Sequence, residues 1–209
     1  MSAAQTRLVF VHGIWMKGFE MGYLRRYFAT QGYPTQRFSY RSISRTLQDN
    51  AERLFQALQA EPKGDVMLIA HSLGGIVVRL MFERHSAQLD QVKAVVSLGS
   101  PLQGGSQVAR FASERRLLRW TLGASDAAPL LTGVRHWDQK IPWLSIAGTH
   151  CRGVGRYTGS LNAPGDGTVA ITETQLPGIR QHIKLPVSHT GMLFSKPVAH
   201  AIHGFLQKI

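Results

Sequence analysis

The sequence predicts an α/β fold, a three-layer arrangement in which a mostly parallel β-sheet lies between helices on both faces. Two observations carry this. Short apolar runs of strand length alternate with segments of helical periodicity through the first half of the chain. Most of those runs are apolar throughout, as strands covered on both faces require. The 209 residues suffice for a full core and are short for two domains, so residues 1–209 are expected to form one domain.

The elements follow in order. Arg7–Val11 is an apolar run that stops at His12-Gly13, and it reads as a buried strand. Glu20–Gln31 places Met21, Leu24, Tyr27 and Phe28 at helical spacing, and Gly32 ends it. Thr35–Tyr40 alternates and predicts a second strand. Ser44–Ala60 is an amphipathic helix through Leu47, Ala51, Leu54, Phe55 and Leu58, broken at Pro62 and Gly64. Val66–Ala70, the helix Leu73–His85 and the strand Val92–Leu98 continue the rhythm. It then breaks. Residues 102–141 contain no strand-like run, only the helical stretch Gln107–Leu122 and a loop rich in small residues, and such a long interruption is expected to be a lid or cap. Strands resume at Trp143–Ala147 and Ile179–Leu185. Ser195 caps a closing helix that tolerates Pro197 in its first turn.

Composition excludes several classes. No apolar run approaches the roughly 20 residues that span a bilayer, and the N-terminus lacks a signal-peptide pattern. The lone Cys151 rules out an internal disulfide and reads as a bland thiol. A cytoplasmic protein is expected. The net charge of +12 raises the question of nucleic acid. Lys and Arg are scattered, however, apart from a patch at Arg110, Arg115, Arg116 and Arg119, and no nucleic-acid-binding motif is present. No nucleic-acid partner is expected. The histidines lack paired spacing with carboxylates, so neither metal nor cofactor is expected.

The chemistry is expected at Ala70-His71-Ser72-Leu73-Gly74-Gly75, which lies between a predicted strand and a predicted helix. This is a G-x-S-x-G elbow with Ala in the first glycine position. A serine on so tight a turn needs small neighbours, which Ala70 and Gly74 supply, and the turn presents Ser72 Oγ as a nucleophile. The helix N-terminus behind it favours negative charge. One oxyanion donor should be the Leu73 N–H. The second should come from the His12-Gly13-Ile14 loop, through the Ile14 N–H. His12 precedes the serine and reads as a structural residue.

In an elbow fold the acid and then the base follow the serine. His189, in Ser188-His189-Thr190-Gly191 after the last strand, fits the base. His150 is the runner-up, His182 falls within a strand, and His200 and His203 fall on solvent-facing positions of the last helix. Asp166, in Gly165-Asp166-Gly167, fits the acid that orients His189, with Glu173 the fallback and Asp138 a poorer choice. An aspartate beside glycine is also a common turn pair.

The blocks Val9–Gly13, Ile69–Gly75, Leu98–Gly105, Gly165–Val169 and Ser188–Gly191 resemble the bacterial lipase and esterase branch of the α/β-hydrolase superfamily, including PGAP1-like proteins, with similar blocks in the same order. The resemblance implies a six-stranded sheet of order 2-1-3-4-5-6, lacking two leading strands of the full fold. It also implies a serine hydrolase that cleaves a small-molecule ester or lipid through an acyl-enzyme. An acyltransferase or thioesterase would use the same residues, and an inactive binding protein would have lost them. Apolar Trp15 and Met16 near the oxyanion loop, and Leu102 close to the end of the next strand, are expected to contact substrate. Residues 107–122 mix apolar side chains with arginines, and they read either as a mobile lid touching a membrane surface or as a fixed helix on the core.

Overall fold

The computed structural model of the chain describes residues 6–61, 64–104, 136–138, 140–152 and 163–209. Among these residues six strands form one sheet: β1 (Arg7–Val11), β2 (Thr35–Phe38), β3 (Val66–His71), β4 (Val92–Leu98), β5 (Trp143–Gly148) and β6 (Gln181–Leu185). Their order is β2-β1-β3-β4-β5-β6, and every neighbouring pair is parallel. The sheet order expected from the sequence is therefore the observed one.

The pleat sorts the strand side chains into two cores. Val9, Val11, Leu68, Ala70, Val95 and Trp143 face one way, against helices α2 (Leu47–Ala60) and α3 (Leu73–His85). Leu8, Phe10, Ile69, Val96, Leu98 and Ile146 face the other way, against α1 (Gly22–Thr30) and α4 (Lys196–Leu206). Both faces of β1, β3, β4 and β5 are thus dry, which is why these strands read as unbroken apolar runs.

Boundaries differ where side chains or turns compete with regular structure. The helix expected from Ser44 starts at Leu47, because Thr46 is extended and its side chain accepts the Asp49 N–H at 3.0 Å. β2 stops at Phe38, short of Tyr40, whose N–H turns to His12 Nε2. β6 starts at Gln181, two residues later than expected, because Gly178 adopts φ +90° in a turn that bonds Ile179 N–H to the Leu176 carbonyl. A 3₁₀ turn, Phe19–Met21, precedes α1. Ser195 caps α4 through the Val198 N–H, with Pro197 in the first turn. His203 is not turned to solvent: it is half-buried among the rings of Tyr27, Phe28 and Tyr33. The expected cap, 102–141, falls largely outside the described residues, and the stretch 107–122 with its arginine patch falls wholly outside them. Among the described residues no helix is long and apolar enough to cross a membrane.

All strands point the same way, so β1, β3, β4, β5 and β6 deliver their C-terminal loops to one edge of the sheet. In such sheets that edge is where ligands bind.

Candidate active site

Ser72 sits between β3 and α3 with φ +52° and ψ −120°, a region that a residue with a side chain rarely occupies. Two glycines allow the turn to pack so closely, Gly74 against the end of β1 and Gly75 against the loop after β4. A methyl group on Gly74 would stand 2.5 Å from the Val11 carbonyl oxygen and 2.6 Å from that of His12. On Gly75 it would stand 2.3 Å from Ser100 Oγ. The Ser72 N–H is held by the Leu98 carbonyl at 2.9 Å, which ties the turn to the end of β4.

The loop after β6 carries His189 to the same point. Its Nε2 lies 2.9 Å from Ser72 Oγ, across 117 residues of chain. Its Nδ1 lies 2.7 Å from Asp166 Oδ2. Asp166 is buried, and its Oδ1 accepts the N–H groups of Thr168 and Val169 at 2.9 and 2.8 Å. Its carbonyl accepts the His189 N–H at 3.0 Å, so backbone and side chain bond the same pair twice. Gly99, with φ +57°, forms the floor: a methyl group there would stand 2.7 Å from Asp166 Oδ2 and 3.0 Å from His189 Nδ1. Ser72, His189 and Asp166 thus form one hydrogen-bonded chain.

The alternatives lie elsewhere. Both ring nitrogens of His189 are engaged by Ser72 and Asp166, which leaves none for Glu173. Glu173 is buried on a 3₁₀ turn whose carbonyl accepts the Gln103 N–H. Asp138 pairs with His136. His150 is exposed at the end of β5. His182 bonds Thr174 Oγ1 from within β6, and burial lowers its pKa. His12 stacks on Tyr40 at 4.2 Å, donates from Nδ1 to the Gly13 carbonyl and accepts the Tyr40 N–H at Nε2. Burial lowers its pKa, and both nitrogens are occupied, as for a structural histidine.

Gly13 lies against the nucleophile turn: a methyl group on it would stand 3.2 Å from Ser72 Cβ. The next N–H, of Ile14, has no acceptor among the described residues. Leu73 is the first residue of α3, where an N–H has no intrahelical partner. The Trp15 N–H is taken by Ser42 Oγ at 3.1 Å. Trp15 is 56% exposed with φ +59°, and Met16 is half-buried beside it. Leu102 is not on an open face, contrary to its expected contact with substrate. It is buried in the α2–α3 core, and its carbonyl accepts from the buried Arg79 at 3.2 Å. Among the described residues no three His, Cys, Asp or Glu side chains gather as a metal site would require.

Sequence reasoning passed over His71. It is fully buried, and its Nε2 donates to the His189 carbonyl at 3.1 Å, with the two rings 4.7 Å apart. Burial, and then the neighbouring His189, push its pKa down to about 3, so the ring is neutral. Its adjacency to Ser72 was the only available signal.

A family model described as a domain of unknown function, DUF7379, matches residues 2–136. The chain belongs to this family. The match spans His12-Gly13 and Ser72, and it stops before Asp166 and His189. Comparison with curated proteins gives no match. Solved structures extend over the rest of the DUF7379 chain. The mature lipase BlEst2 from Bacillus licheniformis is similar at a TM-score of 0.74 and 20% identity, over 99% of this chain and 93% of that one. The metagenomic carboxyl esterase MGS0156 is similar at 0.76 and 17%, over 100% and 77%. Alpha/beta hydrolase domain-containing protein 10 from mouse is similar at 0.62 and 13%, over 96% and 88%. At these identities the likeness is one of fold: the DUF7379 chain has the α/β-hydrolase fold.

Proposed function

We propose that this chain is a serine hydrolase that cleaves carboxylic esters with an apolar acyl group through an acyl-enzyme. The observation that carries this reading is the unbroken path Ser72 Oγ to His189 Nε2, and His189 Nδ1 to Asp166 Oδ2. His189 Nε2 takes the Ser72 proton as Oγ bonds to the carbonyl carbon, and the π pair moves onto the carbonyl oxygen. Asp166 holds the tautomer with the proton on Nδ1 and stabilises the imidazolium. The Ile14 and Leu73 N–H groups receive the oxyanion, each worth about 3 kcal/mol where such donors have been removed from other enzymes. Collapse breaks the ester C–O bond, and the leaving alkoxide takes the Nε2 proton. Water, deprotonated by His189, then attacks the acyl-enzyme and releases the acid and Ser72.

The wider support is the fold shared with esterases and lipases and the strained φ at Ser72, since such strain clusters at functional sites. The test is turnover of p-nitrophenyl esters from acetate to dodecanoate. Ser72→Ala and His189→Ala should each lower kcat/KM on the order of 10³-fold or more, and His182→Ala should have little effect. Turnover unchanged in Ser72→Ala would refute the reading. Damage from His182→Ala equal to that from His189→Ala would refute the choice of base.

A further inference from the structure

A groove of about 470 Å³ opens beside the Gly13–Met16 loop. Trp15, Met16 and Ile43 give it apolar walls, and Lys17, Arg41 and Arg53 give it charge. No carboxylate stands among the residues that line it. None of the three cations has an ion pair among the described residues. Glu20, three residues after Lys17, turns its carboxylate to the backbone N–H groups of Lys17 and Gly18 and does not line the groove.

The walls are braced from below. Buried Ser42 takes the Trp15 N–H, and buried Asn50 donates to the Arg41 carbonyl at 3.2 Å. Trp15 is held at φ +59° and left 56% exposed. Residues held at positive φ cluster at functional sites, and Trp15 is one of two non-glycine residues so held among those described, with Ser72. The groove also lies close to the nucleophile. Gly13 abuts Ser72 Cβ, and Trp15, two residues on, can be no more than about 8 Å from Gly13.

We infer that this groove binds an anionic group of the substrate, so that the ester carries a carboxylate or phosphate beyond an apolar spacer. Arginine forks match both oxyanions with paired hydrogen bonds. The apolar walls suit the spacer. The net charge of +12 steers anions towards the molecule at large. The ester half of this inference rests on the hydrolase reading above, and the anion half rests on the groove alone.

Two matched ester pairs test it, each pairing an ω-carboxylate with an ω-methyl group. One pair is p-nitrophenyl hemisuberate against p-nitrophenyl octanoate, with the acid on the acyl side. The other places the carboxylate on the alcohol side. The expected result is a higher kcat/KM for the acid in at least one pair. Arg41→Gln combined with Arg53→Gln should lower that preference about tenfold. Added salt should lower it in the wild type. Arg84→Gln, on an exposed position of α3, should leave the preference unchanged.

Binding is read separately on Ser72→Ala protein, by quenching of tryptophan fluorescence with monomethyl suberate against methyl octanoate. Acid-selective binding without turnover by the wild type would keep the anion site and remove the hydrolase reading. No acid preference in either measurement would overturn the anion site. Sedimentation with phosphatidylglycerol vesicles through Arg41 and Arg53, without preference for the soluble acid, would replace it with membrane docking.

Discussion

His71 shows how much one buried residue can decide at this site. It bonds the His189 carbonyl and therefore fixes the loop that carries the proposed base. Its folded pKa is about 3, against 6.5 for an exposed imidazole. The unfolded chain thus binds a proton that the fold excludes in the window between these values. The stability this contributes is complete above pH 6.5 and is lost as pH falls towards 3, by on the order of 1 kcal/mol per pH unit inside the window. We expect urea denaturation to show a drop from pH 7 to pH 5, and His71→Gln to show a smaller one. An equal drop in the variant would contradict the assignment. This residue was not legible in the sequence, because a histidine beside the elbow serine carries no pattern that distinguishes a buried donor from a surface ring. Ser72 was legible, because the small residues around it are a local requirement of the turn. Leu102 misled for a related reason: its place after β4 is near the site in sequence, and its side chain turns into the core.

At the scale of elements, the sequence located every strand and α-helix that the structure describes, missed the short 3₁₀ helices, and erred at several ends. The ends are set by contacts that periodicity cannot carry. β2 stops where the Tyr40 N–H meets the ring of His12, 28 residues away. α2 starts where the Thr46 side chain takes the Asp49 N–H. Removing that cap with Thr46→Ala should destabilise the protein by about 1 kcal/mol and lower Tm by about 2–4 °C, with the urea m-value unchanged. An unaltered urea midpoint would show that the cap does not stabilise α2. The glycines of the elbow act at this scale too. Gly74 lets the start of α3 lie directly on the end of β1, where a methyl group would meet the Val11 and His12 carbonyls.

For the molecule as a whole, the parallel sheet was legible because its strands are dry on both faces, and the expected chain order of acid and base rested on the placement of the elbow. The meeting of Ser72 and His189 was not readable from spacing. It depends on β3 and β6 lying in one sheet with β4 and β5 between them, so that loops 117 residues apart share an edge. Apart from the patch at Arg110, Arg115, Arg116 and Arg119, the charge of +12 looked scattered in the sequence, and the fold gathers Lys17, Arg41 and Arg53 at one groove. Activation of Ser72 by His189 is read from the rate and position of labelling by a fluorophosphonate, with the labelled peptide identified by mass spectrometry. We expect one equivalent of label on Ser72, none there in Ser72→Ala, and labelling slowed about 10³-fold in folded His189→Ala. Label on another residue, or a labelling rate that His189→Ala leaves unchanged, would contradict that activation.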